Sequence, residues 1–222
     1  MNTPVPARAQ PRWTRRKDAR PEEISAAALE LFVEHGYAGT RLEDVAARAG
    51  VSKGTLYLYF ASKEELFKAV VREGLVSPLT EFRNTVLEQY QGGAFELLRL
   101  LFYGWWERIG STRISGIPKL IIAEARNFPE IAKFYIDEVV EPGQALLESI
   151  VARGVASGEF RPVAPRETGT LLIAPLLLLA LWRNSLGHYQ PGAIDARRFI
   201  DAHLEMVRNA LAGTSARVRK VS

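Results

Sequence analysis

Apolar residues recur at three- and four-residue spacing through most of the chain, and no stretch alternates apolar with polar positions over a strand's length. The pattern predicts an all-α protein. A first helix is expected from about Pro21, tolerated in a first turn, to Gly36, with Ile24, Ala28, Leu31, Phe32 and His35 facing inward. Two short helices follow, then a long one from Lys63 to about Tyr90, bent near Pro78 and ended by Gly92-Gly93. Further helices are expected over 94–109, 117–126, 129–157, 165–187 and 195–212. Asn127 with Pro129, Gly158 through Pro165, and Gly187 through Gly192 mark the breaks between them.

The densest local signals lie in residues 39–66. Thr40 followed by Glu43 reads as a capping box that opens a helix near Arg41 or Leu42; Leu42, Val45, Ala46 and Ala49 are its apolar face, and Gly50 stops it. Ser52 is placed as a second N-cap, for a helix running through Tyr59, and Ser62 with Glu65 opens the next. Only Gly50 and Val51 separate the first two helices, so they must cross steeply, as in a helix-turn-helix. Such a crossing presents the second helix outward in a shape that fits a DNA major groove. Ser52, Lys53 and Thr55 are then candidates for base or phosphate contacts, and Gly54 allows close backbone approach. The hydroxyls of Tyr57 and Tyr59 and the ammonium of Lys63 are candidates for phosphate oxygens.

The words ALELFVEHGYAGTRLEDVAARAGVSKGTLYLYFASKEELF, within residues 24–67, resemble the DNA-binding domain of the TetR (tetracycline repressor-like) family of bacterial transcriptional regulators. The resemblance covers about a fifth of the chain. It implies that Thr40, Arg41 and Lys63 fall at phosphate-contacting positions and that the helix from Lys53 to Tyr59 is the recognition helix. It also implies a larger helical domain that binds a small molecule, a homodimer, and a double-stranded DNA operator as partner. The DNA-binding domain is expected over 20–66 and the effector-binding and dimerisation domain over 67–212. A basic arm, 1–19, and a basic tail, 213–222, flank them and are expected to be flexible.

Charge qualifies this picture. The formal net charge is +4, but residues 1–20 carry +5 and 213–222 carry +3, leaving the body between them net negative. A basic average therefore gives the folded body little help in binding DNA. The arm either lies along phosphates, adding affinity without sequence preference, or is a solubilising tail. The absence of cysteine rules out disulfides, thiolate ligands and a cysteine nucleophile, and agrees with an expected cytoplasmic location. The N-terminus lacks the apolar run of a secretion signal.

No catalytic constellation, cofactor motif or metal site is expected: His35, His188 and His203 are scattered, and no phosphate loop or nucleophile elbow is present. The larger domain instead stands out for aromatic density. Phe102, Trp105, Trp106, Phe128, Tyr135 and Trp182, with Glu124 and Arg126 as polar groups, are candidates for a ligand cavity; core packing is the alternative. The run Leu171 to Trp182 is apolar all round, too short to cross a bilayer and interrupted by Pro175. Together with helix 195–212 it suits either a two-fold four-helix interface or an internal core helix. The expectation is a homodimeric repressor released from a palindromic operator by a small apolar or aromatic ligand. The alternative is a ligand-independent repressor or an activator.

Overall fold

The computed structural model describes residues 21–192 and 194–213; the arm and nearly all of the C-terminal tail lie outside them. Nine helices order the described residues: α1 (Pro21–Gly39), α2 (Leu42–Arg48), α3 (Lys53–Tyr59), α4 (63–87), α5 (94–110), α6 (Ile117–Glu124), α7 (129–156), α8 (Pro165–Arg183) and α9 (Ala196–Leu211). The only β-type pairing among them is one isolated bridge, Phe160 to Ala212.

Local chemistry explains most boundaries. Gly36 adopts φ 76, ψ 173, a conformation nearly closed to other residues, and it breaks the helical path of α1 as the glycine predicts. Gly50, at φ 74, makes the turn between α2 and α3. Ser52 and Ser62 accept from the backbone N–H groups of Thr55 (3.0 Å) and Glu65 (3.2 Å), as N-caps should. Thr40 does not cap α2. Its hydroxyl turns inward and donates to the carbonyls of Leu31 (3.1 Å) and Gly36 (2.7 Å), and Arg41 takes the N-cap position without a side-chain bond. His35, expected inward, is exposed beside Glu34; Tyr37 is buried in its place because Gly36 resets the direction of the chain.

Wide π-type turns interrupt the long helices: Arg72–Val76 and Phe82–Leu87 in α4, Trp106–Gly110 in α5, and Ile136–Val140 in α7. The first directly precedes Pro78, whose ring would strike the carbonyl four residues back, at Gly74, in a regular helix. At long range, the carboxylate of Glu159 accepts from the N–H groups of Ala94 (2.6 Å) and Phe95 (3.0 Å) and so caps α5.

Two hydrophobic cores result, and they do not divide at residue 66. The first joins α1–α4 to Ile109, Ile114, Ile117, Leu120, Ile121, Ile131 and Phe134. The second packs α5, α7, α8 and α9 around Phe102, Ile150, Leu176 and Ile200. The expected DNA-binding unit therefore shares its core with α6 and the first turns of α7.

An aromatic cluster sits at that junction. Tyr37 stacks on Phe32 (5.8 Å between centroids) and meets Phe67 (5.3 Å) and Phe128 (4.7 Å) edge-on. Glu124 of α6 accepts from the N–H of Ala38 (3.3 Å), and a Cβ on Gly36 would stand 3.2 Å from the same carboxylate. Gly36→Ala should cost about 1–3 kcal/mol, the usual penalty for a non-glycine residue in this region, read as a lower urea midpoint with unchanged slope.

Candidate nucleic-acid interface and ligand cavity

In the helix-turn-helix, Leu42, Val45, Ala46, Val51 and Leu56 are buried, which fixes α3 against α2 and turns its other side to solvent. On that side lie Lys53, Gly54, Tyr57, Leu58 and Tyr59, all exposed, with Ser52 and Thr55 half-buried beside them. The hydroxyls of Ser52 and Thr55 share a hydrogen bond of 2.8 Å. Lys53 forms a close ion pair with Glu43 of α2, which holds the carboxyl below its ordinary range, and its ammonium lies 5.7 Å from the Tyr57 ring centre. Arg41 is exposed at the start of α2.

Two residues expected at phosphates are committed elsewhere. Thr40 is 2% exposed, with its hydroxyl engaged by the two α1 carbonyls. Lys63 donates to the carbonyls of Tyr37 (2.8 Å), Thr40 (3.2 Å) and Ala38 (3.4 Å) and sits over the Tyr37 ring at 4.5 Å. Burial lowers its pKa, with Glu124 opposing. Lys63 thus closes the C-terminal end of α1, where free carbonyls and the helix dipole favour a cation. The family resemblance placed Thr40 at the DNA face, and the resemblance together with its first-turn position placed Lys63 there; their inward direction goes with the Gly36 break.

Residues 24–70 match the family model described as bacterial regulatory proteins, tetR family. Residues 24–70 thus carry a TetR-type DNA-binding region. The chain is similar to the HTH-type transcriptional regulator RutR of Escherichia coli (strain K12), 28% identical over 193 residues, covering 79% of this chain and 76% of RutR. It is also similar to the HTH-type transcriptional repressor KstR2 of Mycolicibacterium smegmatis, 26% identical over 158 residues, covering 65% and 69%. Among solved structures, FadR from Bacillus subtilis in complex with stearoyl-CoA matches with a TM-score of 0.71 at 21% identity, over 86% of this chain and 100% of that one. That likeness establishes a shared fold. The relatives this chain matches are DNA-binding transcriptional regulators, not enzymes.

In the larger domain a cavity of about 370 Å³ lies between α4, α5, α6, α7 and α8. Leu75 and Leu79 come from α4, Ile121 from α6, Ile136, Val139 and Val140 from the wide turn of α7, and Ile173, Leu177 and Leu181 from α8. No lining residue is charged. Of the eight expected ligand residues, only Trp105 and Tyr135 line it. Phe102 is fully buried in the second core, stacked on His203 at 5.5 Å, and Trp106 faces the α5–α9 surface beside Tyr103 and Asp201. Glu124 and Phe128 belong to the Tyr37 junction, Arg126 is exposed, and the Trp182 indole N–H donates to Gln190 (2.6 Å). Aromatic density therefore pointed to core and junction, while the lining is mostly aliphatic. Its trace in the sequence is α6, α7 and α8 carrying apolar residues on more than one face.

Two polar side chains reach the cavity. Gln144 is already engaged, its amide donating to the Arg166 carbonyl (2.6 Å) and its oxygen accepting from Thr170 (3.1 Å). The Tyr135 hydroxyl has no hydrogen-bond partner among the described residues, and burial pushes its pKa well up, so it is neutral. Among the described residues no helix is long and apolar enough to cross a membrane, and no group of three or more His, Asp or Glu is placed to hold a metal ion.

Glu43→Gln frees Lys53 from its ion pair, and if Lys53 meets DNA the variant should bind it about three- to tenfold more tightly at low salt with a steeper salt dependence, checked by anisotropy titrations across a salt series.

Proposed function

We propose that the protein is a homodimeric repressor that binds a palindromic operator through α3 and is released when an uncharged, largely apolar ligand fills the α4–α8 cavity. The observation that carries this reading is the position of that cavity directly behind α4, the helix that leaves the DNA-binding unit. Leu75 and Leu79 of α4 form part of its wall, and Val139 and Val140 of α7 another part. Between them Arg72 of α4 and Glu138 of α7 make a two-pronged ion pair at 2.8 and 2.6 Å. A ligand that spreads these walls acts on α4 directly. It shifts the DNA-binding equilibrium only by its difference in affinity for the two arrangements.

The chemistry of the lining sets the ligand class. With no charge to pair, a charged group in the cavity would be stranded, so an alkyl chain or ring system with one hydrogen-bonding group facing Tyr135 suits it. The stearoyl-CoA in the FadR complex carries an alkyl chain, which supports an apolar chain as the part that enters the cavity; its CoA part is charged and does not belong to that class.

Dimerisation is supported by apolar surface that a single chain leaves uncovered. On α8, Leu171 is 72% and Leu178 58% exposed, and on α9 Met206 is 70% exposed. A two-fold pairing of α8 and α9 would bury them and set two α3 helices about 34–36 Å apart, one turn of DNA.

Selection of bound duplexes from random DNA at near-physiological salt, followed by footprinting, tests the reading. The expected product is a palindrome with half-sites one helical turn apart; salt-sensitive, sequence-blind binding alone would overturn it. With that duplex, uncharged alkyl and aromatic compounds should release the protein and change Trp105 fluorescence. Tyr135→Phe should weaken the effective compounds up to about tenfold, the loss of one hydrogen bond. Leu177→Trp, which fills the cavity, should keep operator binding and abolish release. A compound that saturates the cavity while operator affinity stays unchanged would exclude the release mechanism for that compound.

A further inference from the structure

The outward side of α3 holds one side chain that no core and no polar contact accounts for. Leu58 is 83% exposed, more than any other large aliphatic side chain among the described residues. Folding leaves its isobutyl group in water although Leu56, two positions earlier, is completely buried. One turn back on the same side is Gly54, where a Cβ would meet only the Ser52 hydroxyl at 3.7 Å, so the surface beside Leu58 is bare. The nearby groups suited to hydrogen-bonded base reading are partly engaged within the protein. Ser52 and Thr55 bond each other, and Lys53 pairs with Glu43. What α3 offers most openly is therefore an aliphatic surface flanked by Tyr57 and Tyr59, 44% and 47% exposed.

We infer that Leu58 is a specificity residue that reads thymine, packing against the C5 methyl group of one thymine in the major groove of each half-site. The inference rests on the proposed role of α3 as the recognition helix. The thymine methyl is the one apolar group that the major-groove edges of the four bases present, so an aliphatic side chain brought there favours thymine over cytosine, which lacks it. The contact also removes from water a side chain that folding alone leaves exposed.

The test uses the full chain and the duplex selected as above, with each thymine replaced in turn, symmetrically in both half-sites, by deoxyuridine. This removes one methyl group and keeps every hydrogen-bonding atom. One replacement should weaken binding by about fourfold per half-site, the burial of a single methyl-sized group, and the others should have little effect. Leu58→Ala should weaken binding to the parent duplex by a similar factor and lose its sensitivity to that replacement; Leu58→Met should retain it. Because the scan on the unaltered chain needs no variant, a poorly folded Leu58→Ala leaves the first result standing. Tight, specific binding that is indifferent to every replacement overturns the inference and leaves the role of α3 intact. A methyl dependence that persists in Leu58→Ala overturns it too and moves the contact to Tyr57 or Tyr59. Sequence-blind binding by the unaltered chain overturns both.

Discussion

The structure depends on one joint, the burial of Tyr37 immediately after the break at Gly36. Three aromatic rings and the Lys63 ammonium surround the Tyr37 ring, and they come from α1, α4 and the loop between α6 and α7. Desolvation, with Glu64 and Glu130 nearby, raises the Tyr37 pKa to about 12, so the hydroxyl is neutral at any physiological pH. Aromatic pairs of this kind add about 0.5–1.5 kcal/mol each beyond their burial. More important is what they connect. The DNA-binding helices do not hang from α4 alone; they are also fastened to α6 through the Ala38–Glu124 bond and to the α6–α7 loop through Phe128.

That double attachment explains how an event in the cavity could be felt at α3. The cavity touches α4 on one side and α6 and α7 on the other, and those same elements hold the Tyr37 joint. A change in spacing between α4 and α7 would thus reach the helix-turn-helix through two routes that must move together. The wide turns at 72–76 and 136–140 lie where the two helices are clamped by Arg72 and Glu138. Turns of this kind are poorer helix and accommodate displacement at lower cost than a regular segment. The pair itself is half exposed, so its worth lies more in fixing register than in stability.

Local signals were legible wherever the chain decides its own geometry. The Gly36 break, the Gly50 turn and the Ser52 and Ser62 caps each follow from one or two residues, and all are present in the structure; before Pro78 the structure has a wide turn at 72–76. Thr40 and Lys63 show where such reading stops. A capping box and a free lysine are patterns in spacing, whereas the direction of a side chain depends on what stands opposite. Here the α1 carbonyls freed by the Gly36 break claim both groups.

The same division holds for the sites. The sequence by itself determined the all-helical fold and the position of the helix-turn-helix, because periodicity, caps and glycine stops act over a few residues. It also carried the likeness to TetR-type DNA-binding regions, through the motif that spans α1 to α4. Only the tertiary structure decided which residues enclose the cavity. A hollow arises from the incomplete meeting of five helices, and aliphatic residues that line it look in sequence like those that fill a core. It likewise decided that Phe102 serves a core and Phe128 the junction while Trp105 and Tyr135 line the cavity, and that Leu58 remains in solvent. Burial is a property of the assembled surface, and no single segment carries it.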